Sequence, residues 1–186
     1  MKEEPVDILD KHMNKIGQTM LKSEAHSKGL WHGGAHIWIY NSKGEVLMQL
    51  RSPKKIVRPN VWDVSVAGHI AAGKTPEETV VEEAKEELDL IVDPEKLVFI
   101  GSDLIDDVMP GGWKHRVFLW IYALKLDLNL ADLTLEEEET SEVKWVPIGQ
   151  LEEELNDPLL KQKYSPTRQS YDRAIEHLPK LLGVRN

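Results

Sequence analysis

Three glutamates in the second quarter of the chain have the spacing of a metal site. Glu83, Glu86 and Glu87 follow a glycine-containing segment that begins Gly68-His-Ile-Ala-Ala-Gly-Lys-Thr. Three carboxylates on one side of a helix repel one another unless a cation lies between them. Oxygen ligands suit Mg²⁺ or Mn²⁺ rather than zinc. The residues therefore indicate a place where a divalent cation is held beside backbone that can approach a phosphate closely.

The glutamates lie on a segment with clear helix boundaries. Thr75 with Glu78 three residues later forms a capping-box pattern, and Pro76 fits the first helical position. The pattern predicts a helix from about Pro76 to Leu88. A glycine segment that runs directly into a helix N-terminus brings backbone N–H groups towards an anion.

The predicted helix has an apolar stripe with acids at its rim. At about 100° per residue, one stripe contains four apolar residues: Val80, Val81, Ala84 and Leu88. Glu83 and Glu87 lie at one edge of this stripe, Glu86 lies one step further round, and Glu82 and Lys85 face solvent. A solvated acidic surface is the alternative interpretation of so many glutamates. Acids that adjoin the apolar stripe favour the metal site instead.

The remaining elements predict an α+β fold with a mixed sheet. Residues 6–10 and 15–21 read as an N-terminal β-hairpin. Further strands are predicted over residues 35–40, 45–51, 62–66, 97–101, 116–124 and 142–146, with helices from Pro147 and over 170–182. The strand over 116–124 is apolar almost throughout, as is typical of a strand buried on both faces. We expect one domain over 1–186, with a hairpin extension (1–30), a core (31–155) and a C-terminal helix (156–186).

The segment from Gly68 to Leu90 resembles the signature of the Nudix family, G-x5-E-x7-R-E-U-x-E-E-x-G-U with U aliphatic. The resemblance covers about residues 30–155 and implies an α/β/α sandwich around a mixed sheet. It implies metal-dependent hydrolysis of a diphosphate linked to another group. The metal ligands would be Glu83, Glu86, Glu87 and the carbonyl of Gly68. Glu86 and Glu87 would also act in catalysis, where a glutamate takes the proton of the attacking water.

Three positions depart from this signature. Lys74 stands where the first glutamate is expected, Glu82 where the arginine is expected, and Asp89 where the final glycine is expected. The arginine resembles a clamp that orients the catalytic glutamate, so Glu82 removes a positive partner and adds repulsion. Loss of such a supporting contact typically costs about 10- to 100-fold in affinity or activity. Asp89 matters less, because aspartate can adopt the left-handed conformation that ends a helix.

Several residues outside the acidic helix are candidates for binding the substrate. Arg51 and Lys74 could contact phosphate, Trp62 could stack on a base, and His69 lies inside the signature segment. Further candidates are the cations Lys54, Lys55 and Arg58, the acids Glu136 to Glu139 and the segment 106–113, which could gate the site. His32, His36 and His115 are expected to have packed or exposed structural roles.

The composition of the chain indicates which kinds of partner it binds and in which compartment it is found. The formal net charge of −9 argues against an extended nucleic-acid or anionic-membrane surface, although it permits a small anionic diphosphate as the substrate. No apolar run is long enough for a transmembrane helix, and the N-terminus lacks a signal peptide's apolar core. With no cysteine in the chain, a cytoplasmic location is expected. The tryptophan-rich strands and the N-terminal hairpin permit a homodimer.

Two alternatives to a hydrolase stay open. Residues around Arg51, Trp62 and Gly68 also resemble the isopentenyl-diphosphate isomerase branch of the same superfamily, whose chemistry implies an active-site cysteine that this chain lacks. An isoprenoid-like diphosphate remains a possible substrate. The other alternative is a catalytically weakened diphosphate-binding or sensor module, because the signature is altered at Lys74, Glu82 and Asp89.

Overall fold

The computed structural model describes residues 3–108 and 112–183. Within these ranges the strands are β1 (Pro5–Leu9), β2 (Lys15–Leu21), β3 (His32–Tyr40), β4 (Glu45–Arg51), β5 (Trp62–Asp63), β6 (Val66–His69), β7 (Val98–Val108), β8 (Lys114–Lys125) and β9 (Thr140–Pro147). The α-helices are α1 (Lys22–Lys28), α2 (Pro76–Leu88), α3 (Ile148–Asn156) and α4 (Arg168–Leu181). Residues 109–111, in the middle of the predicted gating segment, lie outside the described ranges.

The strands form a two-stranded sheet and a mixed seven-stranded sheet. In the larger sheet the order is β5-β4-β3-β8-β7, with β6 paired to β3 and β9 paired to β4. The pairing of β3 with β8 is parallel and the other pairings are antiparallel. Most of β8 is buried, as its apolar sequence predicts. The mixed α+β sheet expected from the sequence is confirmed.

Helices cover both faces of the large sheet. The apolar side of α2, including Val80, Ala84 and Leu88, packs on one face against Ile37 and Val66. On the other face α3 and α4 bury apolar residues, among them Leu151, Tyr171 and Leu178. The arrangement is the predicted α/β/α sandwich. No helix in the described ranges combines the length and apolar character needed to span a membrane.

The N-terminal hairpin is confirmed and contacts the segment that leaves β6. Strands β1 and β2 are antiparallel. The backbone of Pro5 accepts a hydrogen bond from Ala72 N at 2.8 Å, and the carboxylate of Asp7 accepts one from Gly73 N at 2.9 Å. Helix α1, which follows the hairpin, was not predicted. The hairpin therefore supports the backbone between Gly68 and α2.

The single strand predicted over residues 62–66 is wrong in its extent. The structure has two short strands here, and the second, β6, includes Gly68 and His69, which lie beyond the end of the predicted strand. The backbone of Gly68 pairs with Ala35 and that of His69 with Gly34. The buried hydroxyl of Ser65 accepts from Ile39 N at 2.8 Å and donates to Leu47 O at 2.6 Å. These bonds to β3 and β4 hold the chain in register between β5 and β6.

Candidate active site

Gly68 and Glu83 meet where β6 faces α2. A Cβ atom at position 68 would overlap the Cγ and the carboxyl group of Glu83. Only glycine therefore leaves room for this glutamate to lie against the strand. The structure brings together the two signature positions at which a glycine carbonyl and a carboxylate would bind a metal.

Helix α2 begins and ends as the sequence predicts. Thr75 Oγ1 accepts from Glu78 N at 3.2 Å, and Glu78 Oε2 accepts from Thr75 N at 2.8 Å, which completes the capping box. Asp89 ends the helix with a left-handed φ of 53°. Aspartate thus occupies the conformation for which the signature uses glycine, as expected.

Two of the three glutamates are in surroundings that disfavour their charge. Burial, together with the negative charge of Glu86, raises the pKa of Glu83 to about 7. Glu87 is only 6% exposed, and burial followed by the charges of Glu83 and Glu139 raises its pKa well above the usual value. Glu86 is exposed at the rim. Bringing a divalent cation to this group would relieve both the repulsion and the loss of solvation.

Gln49 and Thr140 orient Glu87, and the sequence analysis missed both. Gln49 Nε2 donates to Glu87 Oε2 at 3.2 Å, while the Thr140 hydroxyl donates to Gln49 Oε1. All three side chains are buried. The hydroxyl bond to the amide oxygen turns the amide nitrogen towards the glutamate. A glutamine inside the apolar run of β4 was the one available signal.

The downstream acidic run contributes one side chain to this region. Glu139 is close enough to raise the pKa values of Glu83 and Glu87, and it forms an ion pair with Lys55. Glu138 pairs with Lys54 at 2.6 Å on the exposed side. The backbone of Glu136 donates to Glu87 O at 3.0 Å. Glu139 is therefore the member of the run that best fits the predicted additional acid.

Arg51 and Trp62 support the surrounding structure. The guanidinium of Arg51 donates to the backbone carbonyls of Arg58 and Val57 at 3.1 Å each, which ties down the segment after β4. The indole of Trp62 is half-buried under the ammonium of Lys144, 3.7 Å from the ring centroid. Direct contact of either side chain with substrate stays a prediction.

Lys74 contacts helix α2, whereas His69 contacts other histidines. Lys74 forms an ion pair with Glu82 on α2. His69 points away from α2, because successive strand residues alternate in direction, and its ring stacks on His32 with centroids 5.2 Å apart. A role in substrate binding stays a prediction for both residues.

Four histidines form a cluster in which His26, His32 and His115 surround the ring of His69. Ring nitrogens of His26, His69 and His115 lie within 4.8 Å of one another. Buried Nε2 atoms of His32 and His69 have no hydrogen-bond partner among the described residues. Burial lowers the pKa of His32 to about 4 and that of His115 to about 3. These neutral rings could hold a metal ion through nitrogen, a different chemistry from that of the carboxylates.

The sequence analysis assigned structural roles to His32, His36 and His115. His36 does have one, because its Nδ1 lies 2.9 Å from the Ser170 hydroxyl. The histidine cluster was not predicted because α1, β3, β6 and β8 bring its members together from distant parts of the chain. No short motif marks such an arrangement.

A cleft of about 500 Å³ lies beside the histidine cluster. Its lining combines apolar, cationic and acidic side chains: Ile56, Val57, Arg58, Asp107, Val108, Trp113 and Pro166. Trp113 packs edge-on against His26, with centroids 4.8 Å apart, and also contacts the ring of His115. The cleft includes Arg58 and both described sides of the segment 106–113, which the sequence analysis proposed as a gate of the site.

Comparisons with known proteins agree with the predicted family. Residues 30–169 match the model of the NUDIX domain. An uncharacterized Nudix hydrolase of Clostridium acetobutylicum is 34% identical over 154 residues, covering 81% of this chain and 73% of that protein. Nudix hydrolase 3 of Arabidopsis thaliana is 35% identical over 154 residues, covering 79% of this chain and 20% of that longer protein. Isopentenyl-diphosphate Delta-isomerases match at 25% to 29% identity.

A solved structure supports the fold independently. A crystal structure from Deinococcus radiodurans superposes with a TM-score of 0.66 at 22% sequence identity. The superposition covers 87% of this chain and 100% of that chain. At this identity the likeness concerns the fold alone.

Proposed function

Because the chain belongs to the NUDIX domain family, we propose that it hydrolyses a small diphosphate compound with the help of a divalent metal ion. The curated relatives confirm the family and the hydrolase class that the Gly68–Leu90 segment predicts. The substrate, the metal and the roles of individual residues are our proposals.

The observation that carries the proposal is the close packing of Glu83 against Gly68 beside the buried Glu87. These groups, with Glu86, offer only oxygen atoms, and the raised pKa values of Glu83 and Glu87 reflect charges that lack solvent. Such a set fits Mg²⁺ or Mn²⁺, held by the three carboxylates and the Gly68 carbonyl. When bound, the metal would offset negative charge on the diphosphate and polarise its P–O bonds.

Two glutamates are proposed to take part directly in the reaction. In hydrolysis the oxygen of water forms a bond to phosphorus, the bridging P–O bond breaks, and the proton of the water moves to a carboxylate. Glu86 is exposed at the rim and can reach a water molecule, while Glu87 is held in one orientation by Gln49. We assign catalysis to these two residues, both of which would also be metal ligands.

The rest of the substrate is proposed to contact residues outside α2. The cleft with Trp113 and Arg58 offers an apolar surface and a cation for the group linked to the diphosphate. Arg51 and Lys74 remain candidates for contacting phosphate. Trp62 remains a candidate for stacking on a base, and His69 for binding the substrate. Since specificity in a shared fold resides in such variable segments, the compound itself has to be found by assay.

The proposed hydrolysis is tested by a screen of diphosphate compounds. Nucleoside diphosphate sugars, dinucleoside polyphosphates and isoprenoid diphosphates are incubated with the protein and Mg²⁺ or Mn²⁺, and the released phosphomonoesters are counted after phosphatase treatment. We expect turnover of at least one class and its loss with EDTA. Tight diphosphate binding without turnover would favour the sensor alternative. An isomerised isoprenoid product without hydrolysis would favour the isomerase alternative.

Glu83 is expected to make the stability of the metal-free protein fall as the pH rises. Its pKa is about 7 in the folded protein and 4.5 ordinarily. Between these values the folded protein keeps a proton that the unfolded chain has released. The stabilisation is therefore complete below pH 4.5 and lost as the pH rises through 7. The shift corresponds to roughly 3 kcal/mol at most.

Urea unfolding in EDTA, followed between about pH 5 and 8, measures this dependence. Glu83→Gln should reduce the decline, whereas Glu152→Gln on the exposed side of α3 should keep it. Glu87 contributes with the same sign, so some decline should remain in the first variant. An identical decline in Glu83→Gln and the unmodified protein would contradict the assignment.

A further inference from the structure

Two of the departures from the signature are in contact with each other. The ammonium of Lys74 forms an ion pair with the carboxylate of Glu82. The signature has an acid at the first of these positions and arginine at the second, and this chain has a base and then an acid. The two charges have exchanged places. The two changes together therefore leave an ion pair between the same two positions.

The pair joins the two segments that make the site. Lys74 ends the short connection from β6 to α2, where its N–H donates to Ala71 O at 3.0 Å. Glu82 lies in the middle of α2, directly before Glu83. An ion pair here links the backbone that leaves Gly68 to the helical turn that carries Glu83 and Glu86.

A cation also remains beside the acidic side chains. The hydrogen bond to Glu82 raises the pKa of Lys74, and the charges of Glu82, Glu4 and Glu86 add to this effect. The ammonium therefore lies within electrostatic reach of the carboxylate rim even though position 82 is not arginine. The net charge of the pair is zero in either polarity, so the reversal adds no net charge beside Glu83 and Glu86.

We propose that the Lys74–Glu82 ion pair is a positioning element of reversed polarity that holds Glu83 and Glu86 for divalent-metal binding. The inference rests on the proposed function for its metal. The Lys74 and Glu82 side chains are 37% and 49% exposed, so the pair contributes little to overall stability. Its effect should therefore be seen in metal affinity rather than in the unfolding temperature.

Charge reversal tests the pair. Mn²⁺ binding, with the metal alone and no diphosphate, is measured by electron paramagnetic resonance for Lys74→Glu, Glu82→Arg and the double variant. Each single variant should bind Mn²⁺ about 10-fold more weakly. The double variant has the signature's own polarity and should return to within about threefold of the unmodified protein.

A pure charge effect gives a different pattern. Lys74→Glu adds negative charge and would strengthen Mn²⁺ binding, while Glu82→Arg would weaken it, with additive effects in the double variant. That result would overturn the proposal. Lys85→Glu is the matched control: it makes the same change of charge on the solvent side of α2, where Lys85 pairs with Asp89 instead. The change in Mn²⁺ affinity of this control variant shows how much the change of charge alone contributes.

The measurement is independent of the hydrolytic reaction. If the single and double variants bind Mn²⁺ as expected but no diphosphate is cleaved, the positioning role stands and the proposed hydrolysis fails. If cleavage is found and both single variants bind Mn²⁺ normally, the hydrolysis stands and the positioning role fails. Thermal unfolding of all variants, expected within a few degrees of each other, verifies that the comparison is made between folded proteins.

Discussion

Replacing Glu87 with glutamine is expected to lower the rate of diphosphate hydrolysis by at least about 100-fold. Glutamine has nearly the size and shape of glutamate and can still accept the hydrogen bond from Gln49 through its amide oxygen. It cannot carry the negative charge that a metal ligand or a proton acceptor needs. The substitution therefore removes the chemistry and keeps the packing.

The free energy of unfolding of Glu87→Gln, unlike its activity, should not fall. Burial and neighbouring acids raise the pKa of Glu87, which means that its charge is costly in the metal-free protein. Glu87→Gln removes that cost, so the free energy of unfolding without metal should be unchanged or higher at pH 8. A simultaneous fall in activity and gain in stability would identify a functional residue rather than a structural one.

The rate of hydrolysis is measured on the substrate that the screen identifies, and the free energy of unfolding is measured by urea unfolding. Glu152→Gln makes the same chemical change on the surface of α3 and should alter neither. Equal turnover by Glu87→Gln and the unmodified protein would remove Glu87 from the mechanism. A strong loss of stability would mean that its charge holds the fold together.

Gly68→Ala is expected to reduce Mn²⁺ affinity by more than about 10-fold and stability by about 1–3 kcal/mol. The added methyl group would occupy the space of the Glu83 side chain, including its Cγ. Glu83 would have to turn away, or β6 would have to move from β3. Both responses separate the carbonyl and the carboxylate that are proposed to share a metal.

The cause of this effect can be isolated with a second substitution. In a Glu83→Ala background the space beside position 68 is free, so Gly68→Ala should cost much less stability there. Gly149→Ala serves as the control for the glycine change itself, because a Cβ at Gly149 would meet nothing within 4 Å. The same stability loss in both backgrounds would rule out the overlap with Glu83 as its cause.

The parts of the site that were predictable depend on neighbours in the chain. The capping box, the bounds of α2 and the acidic rim follow from residues within a few positions of each other, and the signature supplied the fold. The contact of Lys74 with Glu82 was not foreseen, because it depends on how the connection folds back along the helix. Without it, Glu82 was interpreted only as the loss of a positive partner.

Contacts between distant segments account for the other omissions. Gln49 and Thr140 are 91 positions apart, and only the pairing of β4 with β9 brings them to Glu87. The histidines likewise come from separate elements. The predicted strand over 62–66 left out Gly68 for a related reason, since the strand conformation of Gly68 depends on pairing with β3 rather than on its own preference.

The short strand β6 places adjacent residues in two different chemical environments. Gly68 faces the carboxylates of α2, and His69 faces the other imidazoles. A slip of one position would drive an imidazole into the place kept free for Glu83 and leave the histidine cluster without one ring. An insertion or deletion beside Ser65, whose hydroxyl fixes this alignment, would thus disturb the surroundings of Glu83 and the histidine cluster in a single event. Lineages that remodel the neighbouring loops would have to conserve the spacing between Ser65 and His69 more strictly than most residue identities around it.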